Sequence, residues 1–303
     1  MTGQAAGTPA RMTPRDAAEM VLLAALWGSS YLFMRHAVPS FGAVPLIWIR
    51  VTLAALVLVP LLLWHGEGPE LRREFRPVAV VGVLNSGLPF VLIAWATLSV
   101  TAGFAAIVNA STPIFTALVG ALWLGDRLDR GRALGLAIGF AGVLMLSADK
   151  ADFRPGGSGW AVVALLSAAL CYGLAANTAK RHLQGVGARV GAGGTQAVSA
   201  VLLAPLAWWF WPEQSPPASA WGAALLLALL CTAAANLLFF RLLGRLGASR
   251  AVTVTFMIPV FGSLWGALFL DEAVTGAMVL GGAVILLGTA LATGVLRWPA
   301  SSR

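Results

Sequence analysis

Residues 102–128 read AGFAAIVNASTPIFTALVGALWLGDRL, and residues 248–274 read ASRAVTVTFMIPVFGSLWGALFLDEAV, at an offset of 146 positions. Each stretch is an apolar run with one internal proline and an acid at the same place near its end, Asp126 or Glu272. Over residues 102–145, 14 of 44 positions are identical to their counterparts. Apolar composition alone produces some identities, so the matched prolines, glycines and acids are the more specific signal. The sequence therefore predicts two related copies of one helical unit.

The composition requires a membrane around most of this chain. Of 303 residues, 59% are hydrophobic and 11% are charged, and the mean hydropathy is +0.84. A soluble domain carries about 25% charged residues. A soluble protein with the net charge of +8 found here would be a candidate for nucleic-acid binding. Here the cations lie in clusters between long apolar runs, which is typical of membrane loops, so we expect a lipid bilayer as partner and no nucleic acid.

The apolar runs are long enough to be counted as spans, because a helix needs about 20 residues to cross the hydrocarbon. We predict an all-α integral membrane protein with ten transmembrane helices. The glycines near residues 191–194 weaken the predicted start of the seventh span. The ten predicted spans lie near residues 18–37, 43–64, 77–97, 102–124, 131–148, 158–179, 191–211, 219–240, 250–270 and 276–296.

The distribution of Lys and Arg predicts the orientation. With the N-terminus in the cytoplasm, 16 of the 20 cations fall on the cytoplasmic side, among them Arg11, Arg297 and Arg303. The external loops contain only Lys150 and Arg154, while Arg35 and Arg50 fall near the outer ends of the first two spans. Positive loops face the cytoplasm, so we predict a multi-pass protein of the bacterial inner membrane with both termini inside.

Two units of five spans must have opposite orientations, since five is odd. We therefore predict two inverted repeats (5+5), an architecture that secondary transporters use for alternating access around a site near the midplane. The predicted organisation is a cytoplasmic tail at 1–17, a first repeat at 18–148, an external linker at 149–157, a second repeat at 158–296 and a cytoplasmic tail at 297–303.

Several short motifs recur in a known order along the chain. They are Trp27-Gly28-Ser29-Ser30-Tyr31, Arg35, Arg50, Thr112-Pro113, Gly125-Asp126-Arg127-Leu128, and the segments Gly135 to Gly142 and Gly281 to Gly288. With these motifs, the chain resembles the EamA type of the drug/metabolite transporter (DMT) superfamily over residues 18–296. The resemblance implies a ten-helix inner-membrane carrier that exports metabolites, amino acids or drugs. In the related small multidrug resistance proteins, a membrane-embedded Glu stands where this chain has Trp27, so that proton-coupling carboxylate does not transfer.

Acidic residues are confined to loops and span ends in this reading. A buried ionisable group normally marks an ion or proton path, so this distribution argues against an acid-driven antiporter and against a hard cation as substrate. We interpret Glu19, the acid nearest to mid-membrane, as a solvated residue at the start of the first helix. Arg35 and His36, near an outer helix end, either attract an anionic substrate group or extend towards the lipid headgroups.

Neutral polar and aromatic residues remain in the middle of the spans. They fit a cavity that binds a small-molecule substrate by hydrogen bonds and ring stacking. The alternative for each is a contact between packed membrane helices. The matched prolines Pro113 and Pro259 are candidate hinges, or else static bends. The candidate substrate-binding residues are Trp27, Ser30, Tyr31, Asn85, Trp95, Asn109, Thr112, Thr116, Tyr172, Asn177, Asn236 and Thr255.

Signatures of enzymes, ATP-binding segments and metal sites are not evident in the sequence. We therefore expect a secondary, non-ATP exporter without cofactor or metal. The alternative is a membrane-embedded enzyme or an accessory subunit. The glycine run Gly131, Gly135 and Gly139 is interpreted as a helix-packing stripe, with a homodimer face as the other reading.

Overall fold

The computed structural model describes residues 12–154 and 156–296, and within these residues it contains helices and no strand. Residues 1–11 and 297–303, with Arg11, Arg297 and Arg303, lie outside the described residues, so most of both predicted tails does too. Nine of the described helical segments are long and apolar enough to cross a membrane. They are α1 Pro14–Phe41, α2 Ala43–Trp64, α3 Phe75–Ala96, α4 Ala102–Leu124, α5 Arg130–Lys150, α6 Gly159–His182, α7 Ala188–Trp209, α8 Ala218–Leu246 and α9 Val252–Leu270.

A shorter apolar helix, α10, follows at Gly276–Ala292. Its 17 residues span about 26 Å, slightly less than a hydrocarbon core of about 30 Å. The predicted spans agree with these helices to within a few residues at most ends. The count of ten membrane spans stays a prediction, because α10 is shorter than the other candidates.

The start of α1 is fixed by a capping box and by ion pairs. Asp16 N donates to Thr13 Oγ1 at 3.2 Å, and Thr13 N donates to Asp16 Oδ2 at 3.0 Å. Glu19 lies 3.0 Å from Arg15 and 3.1 Å from Arg241 at the end of α8, and its side chain is only 13% exposed. The interpretation of Glu19 as a solvated acid was therefore wrong, since two arginines cover and neutralise it.

The helices pack in pairs that join the two halves of the chain. The extensive pairs are α1 with α9, α4 with α6, α2 with α7 and α5 with α10. Exchanging the two halves converts the first pair into the second. It leaves the other two pairs unchanged. A Cβ on Gly28 would lie 2.9 Å from Gly262 N, and one on Gly173 would lie 2.9 Å from Phe115 C, so both pairs are close at matched glycines.

The contact between α5 and α10 is also made by backbone. A Cβ on Gly288 would lie 2.5 Å from Gly139 Cα and 2.7 Å from Gly135 O. A Cβ on Gly142 would lie 2.8 Å from Ile285 N. Small residues permit such close approach of membrane helices. The glycine stripe of α5 is thus used inside this chain, as a packing surface for α10.

Four helices are interrupted at matched places. A π-helical turn occupies Val83–Gly87 in α3 and Leu229–Ala234 in α8. In α4, a turn separates Ala102–Asn109 from Thr112–Leu124. In α9, a 3-10 stretch at Val252–Phe256 precedes Ile258–Leu270. Pro113 and Pro259 each lie in the first turn of the second segment, where the missing N–H of proline is tolerated. The prolines thus restart broken helices instead of bending continuous ones.

Candidate functional site

Arg50 is the most buried cation that the structure describes within the bundle. It lies on α2, seven residues after Ala43 and therefore about 10 Å along the helix, and only 4% of its surface is exposed. Its Nε donates to Thr232 Oγ1 of α8 at 2.8 Å, and its guanidinium carbon stands 3.6 Å from the centroid of the Phe90 ring. Its Nη1 also lies 3.7 Å from Met34 Sδ. Helices from both halves therefore hold this side chain.

Polar and aromatic side chains lie near Arg50. Tyr31, Tyr172 and Cys231 are its electrostatic neighbours, and the Asn109 side chain lies beside the Tyr31 hydroxyl. Asn109 Oδ1 is buried and has no hydrogen-bond partner in the described structure, and Ser30 Oγ is buried with the Cys231 thiol beside it and no donor directed at it. We name Arg50, Ser30, Tyr31, Asn109 and Tyr172 the Arg50 cluster. It combines the positive charge of Arg50, two oxygen atoms that accept no hydrogen bond from the described residues (Ser30 Oγ and Asn109 Oδ1) and the aromatic rings of Tyr31 and Tyr172.

Four of these residues, Ser30, Tyr31, Asn109 and Tyr172, belong to the predicted site, and Arg50 does not. The sequence placed Arg50 near a span end, whereas the structure buries it two turns inside α2. The available signal was that Arg50 is the sole charged residue between Ala43 and Trp64. A charge inside an apolar helix is a functional candidate by default.

Trp27, Asn85 and Trp95 lie apart from this arrangement. Trp27 is half-buried and packs its ring against Phe239 of α8, with centroids 5.2 Å apart. Asn85, in the π turn of α3, is exposed, and Trp95 is 45% exposed. Trp27 thus lines the contact between α1 and α8, while the other two side chains face outwards from their packed helices.

The remaining predicted residues direct their polar groups to backbone carbonyls. Such bonds within and between helices agree with the packing alternative for these positions. Asn177 is the only one of the five shown to bridge two helices. The bonds are Thr112 Oγ1 to Asn109 O at 2.8 Å, Thr116 Oγ1 to Thr112 O at 3.0 Å, Asn236 Nδ2 to Thr232 O at 2.8 Å, Thr255 Oγ1 to Val252 O at 2.8 Å, and Asn177 Nδ2 to both Thr116 O and Gly173 O at 2.9 Å.

Two cavities lie near these helices. A largely apolar groove of about 550 Å³ runs between α1, α8 and α9 and includes Ser29, His36 and Trp265. Ser29 Oγ lies 3.3 Å from Cys231 Sγ, and Cys231 adjoins the residue that binds Arg50. A smaller cavity of about 270 Å³ is lined by residues that include Pro113 and Thr255. Neither lining includes a residue of the Arg50 cluster, and Ser29 is the lining residue of the larger groove that contacts Cys231.

Matched ion pairs stand at the two ends of α4. At its start, Glu272 accepts from Ala102 N at 2.9 and 3.0 Å and lies 3.7 Å from Arg35 Nε. Beyond its last residue, Asp126 Oδ2 lies 2.7 Å from Lys180 Nζ. Each pair joins a residue of one half to a residue of the other. We name these places the Glu272 end and the Asp126 end.

Arg35 is occupied within the protein. Besides Glu272, it donates through Nη1 to the carbonyl of Thr97. Neither reading of Arg35 from the sequence included these partners within the protein. His36 is exposed and lines the larger groove.

Comparisons with known proteins agree with this architecture. The EamA-like transporter family matches residues 18–148 and again 159–294. A probable terminal-alkyne amino-acid exporter of Streptantibioticus cattleyicolor is 24% identical over 273 residues, covering 90% of this chain and 91% of the relative. A probable amino-acid metabolite efflux pump of Escherichia coli is 25% identical over 312 residues, covering 95% and 97%.

A solved crystal structure superposes with a TM-score of 0.67 at 22% identity, covering 95% of this chain and 99% of that one. This likeness shows the fold alone. The two family matches together cover most of the chain, and the names of the relatives indicate transporters and not enzymes. The chain is a multi-pass membrane protein and belongs to the EamA-like transporter family of the drug/metabolite transporter superfamily.

Proposed function

We propose that the chain is a secondary carrier that exports small metabolites, such as amino acids or aromatic and amphipathic compounds, across the inner membrane by alternating access. The observation that carries the proposal is the family match in two successive copies, together with relatives named as exporters. In this proposal residues 18–148 and 158–296 are inverted repeats of five spans, and both termini are cytoplasmic.

The position of the Arg50 cluster supports a substrate site between the halves. Arg50, Tyr31 and Asn109 come from the first half, while Tyr172 and the hydroxyl of Thr232 come from the second. A carrier of this architecture binds its substrate near the midplane, at the interface of its repeats. A site built from both halves changes its access when one half moves against the other.

The matched ion pairs supply contacts that can alternate. Arg35 with Glu272 and Asp126 with Lys180 each join the two halves, at opposite ends of α4. Opening one end of the bundle separates its pair, while the other pair stays closed. The broken helices at Pro113 and Pro259 are the proposed hinges, since a helix interruption tolerates a change of backbone angles.

Efflux from proteoliposomes tests the proposal. The purified protein is reconstituted with labelled L-amino acids and aromatic metabolites inside, with and without a pH gradient, and liposomes without protein are the control. We expect saturable efflux of at least one solute, reduced by Asn109→Ala at unchanged protein content. If no solute leaves faster than from protein-free liposomes, the proposal is contradicted. Wild-type flux in this variant would remove Asn109 from the path.

A further inference from the structure

The pseudo-symmetry of the fold gives Arg50 a counterpart in the second half. Gln196 on α7 follows Arg50 by 146 positions, the same offset that relates the two copies of α4 and α9. Gln196 Nε2 donates to Ser86 Oγ of α3 at 3.0 Å. Ser86 precedes Thr232 by the same 146 positions, and each hydroxyl lies in a π turn. The two bonds are therefore equivalent links between matched pairs of helices.

A neutral amide makes this link in one half, so the link itself needs no charge. Gln196 is 2% exposed and Arg50 is 4% exposed, hence the two sites are similarly buried. Burial of an unpaired charge costs several kcal/mol, and arginine does not escape this cost by losing its proton. Among residues 12–154 and 156–296, no carboxylate forms an ion pair with Arg50. Stacking on Phe90 offsets part of this cost, but the bond to Thr232 does not require the positive charge.

We infer that Arg50 is the receptor for the carboxylate of the transported substrate, which the surrounding acceptors identify as an α-amino acid. The inference rests on the proposed function, because it names the substrate class of that same site. A guanidinium binds a carboxylate through two parallel hydrogen bonds. Ser30 Oγ and Asn109 Oδ1, both buried and neither accepting a hydrogen bond in the described structure, accept from the α-ammonium group. Tyr31 and Tyr172 provide the apolar walls for the side chain.

The matched residue also defines the variant that tests the inference. Arg50→Gln removes the charge and retains an amide that can donate to Thr232, as Gln196 does to Ser86. Arg50→Lys retains the charge but loses the planar guanidinium that donates two parallel hydrogen bonds to a carboxylate. Arg72→Gln removes an exposed cation from the short helix Gly68–Arg73 between α2 and α3 and is the matched control.

Binding is measured as thermal stabilisation of the purified protein in detergent by each of the twenty L-amino acids and by its carboxamide. Charge-assisted hydrogen bonds contribute about 1.5–3 kcal/mol, so we expect the wild type to bind at least one acid roughly tenfold or more tightly than its amide. Arg50→Gln brings the affinity for the acid down to that for the amide, and Arg50→Lys gives an intermediate preference. Arg72→Gln behaves as the wild type.

Equal affinity of the wild type for acids and amides overturns the inference without any variant, so the test stands even if Arg50→Gln fails to fold. Wild-type preference for acids in a folded Arg50→Gln protein overturns it as well. Proteoliposome flux separates this failure from that of the proposed function. If flux of an amino acid persists in Arg50→Gln, only the role of Arg50 falls. If the wild type transports no solute, the proposed function falls and the inference with it.

Discussion

Replacement of Gly288 with alanine tests whether α5 and α10 are held together by backbone contact. The added Cβ would lie 2.5 Å from Gly139 Cα and 2.7 Å from Gly135 O. Carbon atoms at contact stand about 3.5–4.0 Å apart. Because the obstructing atoms belong to the backbone, no side-chain rotation relieves the clash, and the helices must separate by about 1 Å.

The expected loss of stability follows from that separation. Overpacking of a well-packed interface costs about 1–3 kcal/mol. We expect the upper end of this range, because moving α10 also loosens its contact at Gly142. In a domain of 150–250 residues, 1 kcal/mol shifts the unfolding midpoint by about 2–4 °C, so a loss of about 3 kcal/mol lowers the midpoint by about 6–12 °C.

Thermal unfolding in detergent, followed by tryptophan fluorescence, measures this change. Gly244→Ala on α8 is the matched control, because a Cβ there would meet no atom within 4 Å. Replacing a helical glycine with alanine at a position with free space raises stability by about 0–1 kcal/mol. Equal midpoints for Gly288→Ala and Gly244→Ala would refute the close packing of α5 and α10.

Two further pairs of variants test the ends of the bundle in the same unfolding assay. Glu272→Gln leaves Arg35 without its carboxylate, and we expect a loss of stability of about 2 kcal/mol. Lys180→Gln breaks an ion pair whose side chains are 55% and 42% exposed, so we expect a loss of less than about 1 kcal/mol. Equal losses for the two variants would contradict this difference in burial. Asp271 has a φ of 52° and Gly125 a φ of 71°, so both have a left-handed backbone, which is unfavourable for a residue with a Cβ. We therefore expect Asp271→Gly to raise stability by about 1 kcal/mol and Gly125→Ala to lower it by about 1 kcal/mol. Changes of the same sign in the two variants would contradict this explanation.

The membrane helices were predictable because their signal is local. Length and apolar composition suffice to place a span, and most predicted ends lie within a few residues of the helices found. The predicted seventh span, near residues 191–211, begins within a few residues of α7, which starts at Ala188. Gly194 permits close packing there, since a Cβ on it would lie 2.7 Å from Leu71 and Val78 side-chain atoms, whereas a Cβ on Gly191 would meet no atom within 4 Å.

The candidate site was predictable only in part, because its selection depends on contacts between distant segments. Polarity within a span identifies Asn109 and Asn177 alike. The structure separates them, since Asn177 donates to Thr116 O across a helix interface while Asn109 Oδ1 has no partner. Arg50 was placed near a span end although it is the sole charged residue between Ala43 and Trp64. Only its bond to Thr232, 182 positions away, could not be predicted from the sequence.

The ion pairs of the bundle ends were likewise beyond local patterns. Asp126 and Glu272 were recognised as matched acids, and Arg35 and Lys180 occupy matched positions at an offset of 145. The repeat in the sequence does not show that each cation forms an ion pair with the acid of the other half. These ion pairs between the halves result from the packing of α1 on α9 and of α6 on α4.

Coupling between the two ends is the central claim of alternating access, and distances between paired spin labels test it most directly. One label pair is placed at Ser99 and Ala273 at the Glu272 end, the other at Arg127 and Gln184 at the Asp126 end; all four residues are exposed. In lipid nanodiscs, we expect Glu272→Gln to lengthen the first distance and shorten the second. Changes confined to the end that carries the substitution would contradict alternating access.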